Sequence, residues 1–98
     1  MDITYKNRKI ERICTNAKVA DQKYGSQMSA KIQMRIDEIR AVDTVEEMIQ
    51  FHIGRCHALK GNRKGQYAVD LEHPYRLVFI KHGNEIQIAH ILEIVDYH

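Results

Sequence analysis

Three polar segments of this 98-residue sequence carry side chains that could act on a phosphate group. The first is the loop 55–65, RCHALKGNRKG, in which glycines let the backbone approach an anion and lysine and arginine supply positive charge. The second is Arg76, a lone charge among apolar residues. The third is the triplet Asp96-Tyr97-His98, whose side chains all donate or accept protons. These residue types suit an anionic ligand bound at one face of the protein.

The distribution of charged residues along the chain supports an anionic ligand more strongly than the net charge does. Fifteen Lys and Arg residues against thirteen Asp and Glu give a net charge of +2. Between residues 48 and 69 there is no acidic residue, although the same stretch contains four cations: Arg55, Lys60, Arg63 and Lys64. A loop that is merely solvated explains this pattern equally well, so charge alone does not decide between the two interpretations.

The histidines and cysteines do not form a recognisable metal motif. His52 and His57 flank Cys56, but no second Cys or His pair stands at the spacing of a structural zinc site. Cys14 lies on the apolar stripe of a predicted helix and is expected to pack as a small hydrophobe, and we expect Cys56 to be structural as well. We predict no metal and no cofactor, with a metal site assembled from distant positions as the open alternative.

The elements that must position these residues begin with helices. Apolar residues recur at steps of three and four from 10 to 24, which predicts one helix that ends at Gly25. The same period predicts a second helix over 26–42. Thr44 and Glu47 match a capping box, which predicts a short third helix.

After Gly65 the apolar period changes to two, which is typical of strands. The alternation predicts strands over 67–71, 75–80 and 86–95, the last with a bulge, and the segment 3–5 is a candidate edge strand. Short connections favour antiparallel neighbours. The predicted fold class is therefore α+β, with N-terminal helices packed on a three- to four-stranded antiparallel sheet.

Length and composition limit the kinds of protein that this sequence can encode. The chain is long enough for one domain, residues 1–98, with too small a core for a large enclosed cofactor cavity. Apolar runs of no more than four residues cannot span a bilayer, and the first residues lack the apolar segment of a secretory signal. Because the two cysteines are expected to be reduced, we predict a cytoplasmic protein without a membrane partner.

Three segments together resemble the HigB branch of the RelE/ParE toxin superfamily, the plasmid maintenance killer proteins. They are HALKGNRKG at 57–65, YRLVF at 75–79 and VDYH at 95–98. The family pattern is similar: H-x-L-K-G-D-R-x-G, then W/Y-R-I/L-x-F, then D-Y-H. Asn62 stands where aspartate is usual, and Ala58 where proline is usual. The chain length, the order of helices before strands and the positions of the three motifs all agree with the family, so the resemblance covers essentially the whole chain.

The resemblance implies a RelE-like fold and the toxin of a type II toxin–antitoxin system. Such a toxin is a ribosome-dependent mRNA endonuclease that acts in the ribosomal A site, and its cognate antitoxin, a small helix-turn-helix protein similar to HigA, masks it. The implied partners are therefore the antitoxin, the ribosome and mRNA. Carried over position by position, the implied catalytic set is His57, Lys60, Arg76, Asp96, Tyr97 and His98.

Ribonuclease chemistry suits these residue types, because RNA supplies its own nucleophile, the 2′-hydroxyl. The reaction needs a base for this hydroxyl, an acid for the leaving 5′-oxygen and cations for the phosphate, but no metal. A free imidazole, with a pKa of about 6.5, serves as acid or as base near neutral pH. We expect His57 and His98 to share these tasks, in an order that the residues leave open. Asp96 would orient a histidine or act as the base itself.

The remaining residues of the set are expected to bind RNA. Lys60 and Arg76 would hold the scissile phosphate. Tyr97 would stack on a base or form a hydrogen bond with the phosphate. Flanking mRNA or ribosomal RNA would be bound by three further cations: Arg55, Arg63 and Lys64.

Two other functions fit parts of the sequence. A ParE-like DNA gyrase inhibitor shares the fold but has no need of the acid–base triplet at 96–98. A catalytically silent nucleic-acid-binding module fits the basic loop equally well.

Taken alone, Arg76 would pair with a carboxylate such as Glu93 or Asp96. Three apolar residues are expected either at the antitoxin interface or in the core: Met28, Met34 and Ile53.

Overall fold

The computed structural model describes residues 1–97, which form four α-helices and a five-stranded sheet. The helices are α1 Arg8–Thr15, α2 Ala17–Tyr24, α3 Ser26–Ala41 and α4 Val45–Gln50. The strands are β1 Asp2–Tyr5, β2 His57–Ala58, β3 Tyr67–Asp70, β4 Tyr75–His82 and β5 Ile88–Asp96. Two 3₁₀ turns, Ile53–Arg55 and Gly61–Arg63, stand before and after β2.

The single helix predicted over 10–24 is wrong, because Asn16 divides it into α1 and α2. The Asn16 side chain accepts hydrogen bonds from the backbone amides of Lys18 and Val19, at 3.1 and 3.4 Å, and so caps α2. Its extended backbone, with φ −130° and ψ 103°, ends α1. The apolar spacing continues across this break, so only the cap residue signals it.

The other two helix predictions are confirmed. α3 begins directly after Gly25, whose φ of 89° favours glycine. α4 is capped by Thr44, whose hydroxyl oxygen accepts the Glu47 amide hydrogen at 3.1 Å. Buried side chains of all four helices join those of β3, β4 and β5 in one core.

The sheet has the strand order β1-β5-β4-β3-β2 and is mixed. The predicted antiparallel pairing is confirmed for β3, β4 and β5, but the prediction of three to four strands, all antiparallel, is wrong because residues 1–97 form five strands and β1 is parallel. β1 lies parallel to β5, since the intervening helices carry the chain back across the sheet. The candidate edge strand at 3–5 is confirmed as part of β1. β2 has only two residues, too few to show an alternating pattern.

The strands β3 and β4 present two faces of the sheet. Leu77 and Phe79 pack in the core shared with the helices, so Arg76 and Val78, which alternate with them, lie on the opposite face. That face is partly open at Arg76 but fully buried at Val78. Asp70 of β3 lies directly opposite Arg76. The predicted bulge in the last strand is confirmed by the register shift of β5 against Val78 and Phe79.

The three apolar residues assigned to an interface or to the core differ in exposure. Met28 is buried in the core at 4% exposure, which removes it from an exposed interface. Met34 is 48% exposed, and Ile53 is partly buried against the core. Within residues 1–97, every helix is too short or too polar to cross a membrane.

Candidate functional site

Two neighbouring hollows lie where the β3–β4 turn, the residue that follows β5 and the first 3₁₀ turn meet. Their volumes are about 120 and 420 Å³. Both are lined by Arg55, Asp70 and Arg76. The smaller also contains Tyr97, and the larger is completed by His52, Cys56 and His57.

Asp70 holds two arginines between the hollows. Its Oδ1 lies 3.3 Å from Nε of Arg76, and its Oδ2 lies 3.4 Å from Nε of Arg55. The first contact follows from strand pairing, whereas Arg55 arrives from the loop before β2. The side chain of Arg55 is 82% exposed, so its guanidinium is accessible to a ligand. One carboxylate between two guanidinium groups leaves this group of three side chains with a net positive charge.

The aromatic ring of Tyr97 packs against Arg76. The Cζ atom of Arg76 lies 4.6 Å from the centroid of the Tyr97 ring, within the range of a cation–π interaction. The Tyr97 amide also donates a hydrogen bond to the Pro74 carbonyl at 2.9 Å, which attaches the chain after β5 to the β3–β4 turn. Arg76 is therefore contacted by Asp70 on the neighbouring strand and by the aromatic ring.

His57 stands at the start of β2 and lines the larger hollow. Its Nδ1 lies 2.9 Å from the carbonyl oxygen of Arg55. Because a carbonyl oxygen only accepts hydrogen bonds, Nδ1 carries the proton, and Nε2 of the neutral ring then has the lone pair. This hydrogen bond attaches the His57 ring to the end of the 3₁₀ turn before β2. His52 and Arg55 in this segment both have a φ of 55°, a conformation that is uncommon outside glycine.

The other cations of the basic loop do not converge on the hollows. Nη2 of Arg63 lies 3.6 Å from Oε1 of Glu93, and Nη1 donates to Gln66 at 2.9 Å. Glu93, one of the carboxylates considered for Arg76, thus pairs with a different arginine. Lys60 and Lys64 are exposed on the loop, and neither is among the described residues that line the hollows.

The structure describes two residues of the triplet at 96–98. Asp96 is the last residue of β5, lies opposite Tyr75 in the register and is exposed. Tyr97 follows it and lies against Arg76. His98 lies outside the described residues, so its role stays a prediction.

Sequence reasoning missed Asp70. Its alternation with apolar neighbours is typical of a solvent-facing strand position, and nothing local distinguishes it. The signal that could have found it is the hairpin itself, because folding β3 against β4 about the turn at 71–74 puts Asp70 opposite Arg76.

Both cysteines are removed from solvent. Cys14 and Cys56 are 1% and 6% exposed, and burial raises the pKa of each thiol to about 12. Neither is a thiolate near neutral pH, which agrees with their expected structural role. Within residues 1–97, no three His, Cys, Asp or Glu side chains are grouped so as to hold a metal ion.

No protein-family model and no curated protein matches this sequence. Solved structures do match its fold. A YoeB/ParE toxin from Agrobacterium tumefaciens has a TM-score of 0.66 at 17% identity, over 100% of both chains. A YoeB–YefM complex and a YoeB dimer, both from Staphylococcus aureus, have TM-scores of 0.55 and 0.54 at 23% and 22% identity, over 100% of this chain and 97% of theirs.

These similarities confirm an α+β fold that this chain shares with the YoeB/ParE toxin structure. At such identities they concern the fold alone. They favour no HigB protein over the YoeB/ParE toxins, so the assignment to the HigB branch stays a prediction.

Proposed function

We propose that this protein is the toxin of a type II toxin–antitoxin system and acts as a metal-independent endoribonuclease. The main support is the convergence of Arg55, His57, Arg76 and Tyr97 on one pair of hollows, although they come from separate parts of the chain. The fold shared with YoeB/ParE toxins is the second support. Cations, an imidazole and a phenol are groups that RNA cleavage can use.

RNA supplies the nucleophile in the proposed reaction. A base takes the proton of a 2′-hydroxyl, the 2′-oxygen bonds to the adjacent phosphorus, and the bond between phosphorus and the 5′-oxygen breaks. An acid gives a proton to the leaving 5′-oxygen, so the products are a 2′,3′-cyclic phosphate and a 5′-hydroxyl. This scheme requires neither a metal nor a cofactor.

His57 is the proposed base. Its Nδ1–H donates to the Arg55 carbonyl, so the neutral ring presents its lone pair at Nε2. The acid is then assigned to His98, with the Asp96 carboxylate favouring the protonated imidazole. Each group of this kind contributes about 10²–10⁴-fold to the rate.

Arg76 is proposed to hold the scissile phosphate at the hollows. Lys60, an exposed cation that does not line them, is proposed from the motif resemblance alone to contact the same phosphate. Asp70 and the ring of Tyr97 hold Arg76 from two sides, so its guanidinium is oriented before charge develops on the phosphate. Flanking RNA would be bound by the other cations of the basic loop: Arg55, Arg63 and Lys64.

The proposed partners are an antitoxin and mRNA on the ribosome. One of the solved structures with this fold is a complex of YoeB with YefM, which supports a partner of the antitoxin class for this chain. A helix-turn-helix, HigA-like antitoxin and action in the ribosomal A site are proposed from the motif resemblance.

Primer extension on a translated mRNA, after brief induction, tests the proposed function. The wild type is compared with His57→Ala, His98→Ala and Arg76→Ala. The matched control is His82→Ala, because His82 is an exposed histidine at the other end of β4. We expect cuts that require translation, that disappear in the first three variants and that persist in the control.

Thermal melts of all four variants establish that each is folded. Growth arrest without mRNA cuts would contradict the ribonuclease assignment. Arrest accompanied by DNA breaks would instead identify a gyrase inhibitor, and cuts that survive both histidine substitutions would overturn the proposed acid and base.

A further inference from the structure

Arg35 of α3 connects the helical layer to the candidate site. Its side chain is only 12% exposed. Its Nε donates to the carbonyl oxygen of Asp70 at 2.6 Å, and its Nη1 donates to Oε1 of Glu38 at 2.7 Å. The backbone of Asp70 is thus held by a side chain from the opposite layer, whose charge is already paired with Glu38.

Arg35 also packs against the turn that carries Arg55. A Cβ on Gly54 would stand 2.7 Å from Nε and 2.9 Å from Cδ of Arg35, so the arginine fills the space where another side chain would begin. Gly54 and Arg55 have φ values of 58° and 55°. A non-glycine residue in this conformation persists where its surroundings hold it.

We infer that Arg35 is a positioning residue that sets the separation of the Arg55 and Arg76 guanidinium groups. It fixes Asp70 through a hydrogen bond and the Arg55 turn through packing. Asp70 then orients both guanidinium groups. The inference rests on the proposed function in one respect, that the ligand of the two guanidinium groups is the phosphodiester of RNA.

Binding of a single-stranded RNA decamer with 2′-O-methyl riboses tests this inference, since such an RNA cannot be cut by 2′-hydroxyl attack. Dissociation constants are measured by fluorescence anisotropy for Arg35→Met, Arg55→Ala and the double variant. We expect each single substitution to weaken binding about fivefold, and the double variant to fall well short of the product of the two effects.

Lys64→Ala is the matched control for this cycle, because Lys64 is an exposed cation farther along the same loop. Its effect on binding should multiply with that of Arg35→Met. If the effects of Arg35→Met and Arg55→Ala on the dissociation constant also multiply, the positioning role is overturned. That result would mean that Arg55 contributes as much to binding without Arg35 as with it.

The Nε–H resonances of Arg55 and Arg76 in the free protein give a second readout. Both Nε atoms face Asp70, so Arg35→Met should move both ¹⁵N–¹H signals toward those of a solvent-exposed arginine. Lys64→Ala should leave them in place. If Arg35→Met does not fold, Gly54→Ala replaces it, because the added Cβ disturbs the same contact.

The two measurements separate this inference from the proposed function. Shifted resonances without binding of the decamer by the wild type would support the positioning role and overturn free single-stranded RNA as the ligand of the two guanidinium groups. The absence of mRNA cuts by the wild type in the primer-extension experiment would instead overturn the ribonuclease assignment. The opposite result is RNA binding by the wild type, effects of Arg35→Met and Arg55→Ala that multiply, and Nε–H resonances that do not move in Arg35→Met. It would overturn the positioning role without affecting the ribonuclease assignment.

Discussion

The two ends of strand β4 each carry a polar cluster around one carboxylate, but the clusters are built differently. At the Arg76 end, the Asp70 cluster consists of Asp70 and two arginines at 3.3 and 3.4 Å, with the Tyr97 ring over Arg76. At the other end, the Glu46 cluster consists of Glu46, Lys81 and Gln87. Here the carboxylate accepts hydrogen bonds from Nζ and Nε2, both at 2.7 Å.

The Glu46 cluster has the contacts of a structural network. Gln87 is 4% exposed, and its Oε1 accepts the Val45 amide at 2.9 Å at the start of α4. Its Nε2 donates to Glu46 and also to the Asn84 carbonyl at 2.8 Å. A buried amide with its donors and acceptor engaged fastens α4 to the β4–β5 turn.

The Asp70 cluster has the opposite character. Its separations exceed the roughly 2.7–2.9 Å of strong charge-assisted hydrogen bonds, and two cations share one anion. Excess positive charge at an accessible hollow can bind an anion, whereas a saturated network must break to do so. Changes in the Asp70 cluster should therefore affect activity more than stability, and changes in the Glu46 cluster the reverse.

The largest expected effect is the loss of RNA cleavage in Arg76→Ala. The substitution removes a charge that would stabilise the transition state, at a cost of about 10²–10³-fold in rate. The thermal midpoint should change little, because the side chain is 32% exposed. Cleavage of a translated mRNA and a thermal melt of the same preparation measure the two quantities.

Lys81→Ala is the reciprocal control on the same strand. It removes the cation that pairs with Glu46, far from the hollows, and should leave the cleavage rate per folded molecule unchanged. Similar losses of cleavage in both variants would contradict the division of β4 into a functional end and a structural end.

The largest expected loss of stability is in Gln87→Leu. The Val45 amide and one Glu46 oxygen lose their partner, which should lower the free energy of unfolding by about 2 kcal/mol. Urea denaturation measures this change. Asn84→Ala is the control, since Asn84 contributes its backbone carbonyl to this contact, and its substitution should cost much less. Equal losses in both variants would mean that the amide of Gln87 is not the source of stability.

A smaller effect is expected in the salt dependence of RNA binding by Arg55→Ala. A cation that contacts a phosphate releases a counterion, so its removal should reduce the slope of log affinity against log salt by about 0.7 on a single strand. Anisotropy titrations at several salt concentrations give the slope. Arg12→Ala, an exposed arginine of α1, should leave it unchanged. Weaker binding with an unaltered slope would mean that Arg55 contacts no phosphate.

The helices and the first strand show how far local patterns predict this fold. α3 and α4 follow from apolar spacing and from the signals at Gly25 and Thr44. The break at Asn16 does not, because an asparagine cap leaves the apolar period intact. The parallel pairing of β1 joins residues as far apart as Thr4 and His90, 86 positions along the chain, and no local pattern encodes such a contact.

The candidate site shows the same limit. The motifs identified Arg76, His57 and Tyr97, which the structure places around the hollows, but they also included Lys60, which does not line them. Asp70 was not identified, because its importance comes from being opposite Arg76 in the folded hairpin. Residue types and their order along the chain therefore predict several residues of the candidate site. Which side chains contact each other follows only from the register of the strands in the folded sheet.

The smallest expected effect concerns stability in acid. Lys81 and Gln87 donate to the Glu46 carboxylate and hold its pKa below the usual value for glutamate. Because the pKa is lower in the folded state, these bonds stabilise the protein above the pKa of an unfolded glutamate. That contribution is lost as the pH falls through the folded pKa.

Urea unfolding of wild type and Glu46→Gln at pH 7 and pH 3 checks this sign. The wild type should lose more unfolding free energy than the variant between about pH 5 and pH 3. The difference should stay below about 1 kcal/mol, because the Glu46 side chain is 58% exposed and solvent screens the pair. Glu85→Gln, another exposed glutamate near the same turn, should follow the wild type. If Glu46→Gln loses as much unfolding free energy in acid as the wild type, the stabilisation by the Glu46 cluster does not depend on the charge of the Glu46 carboxylate.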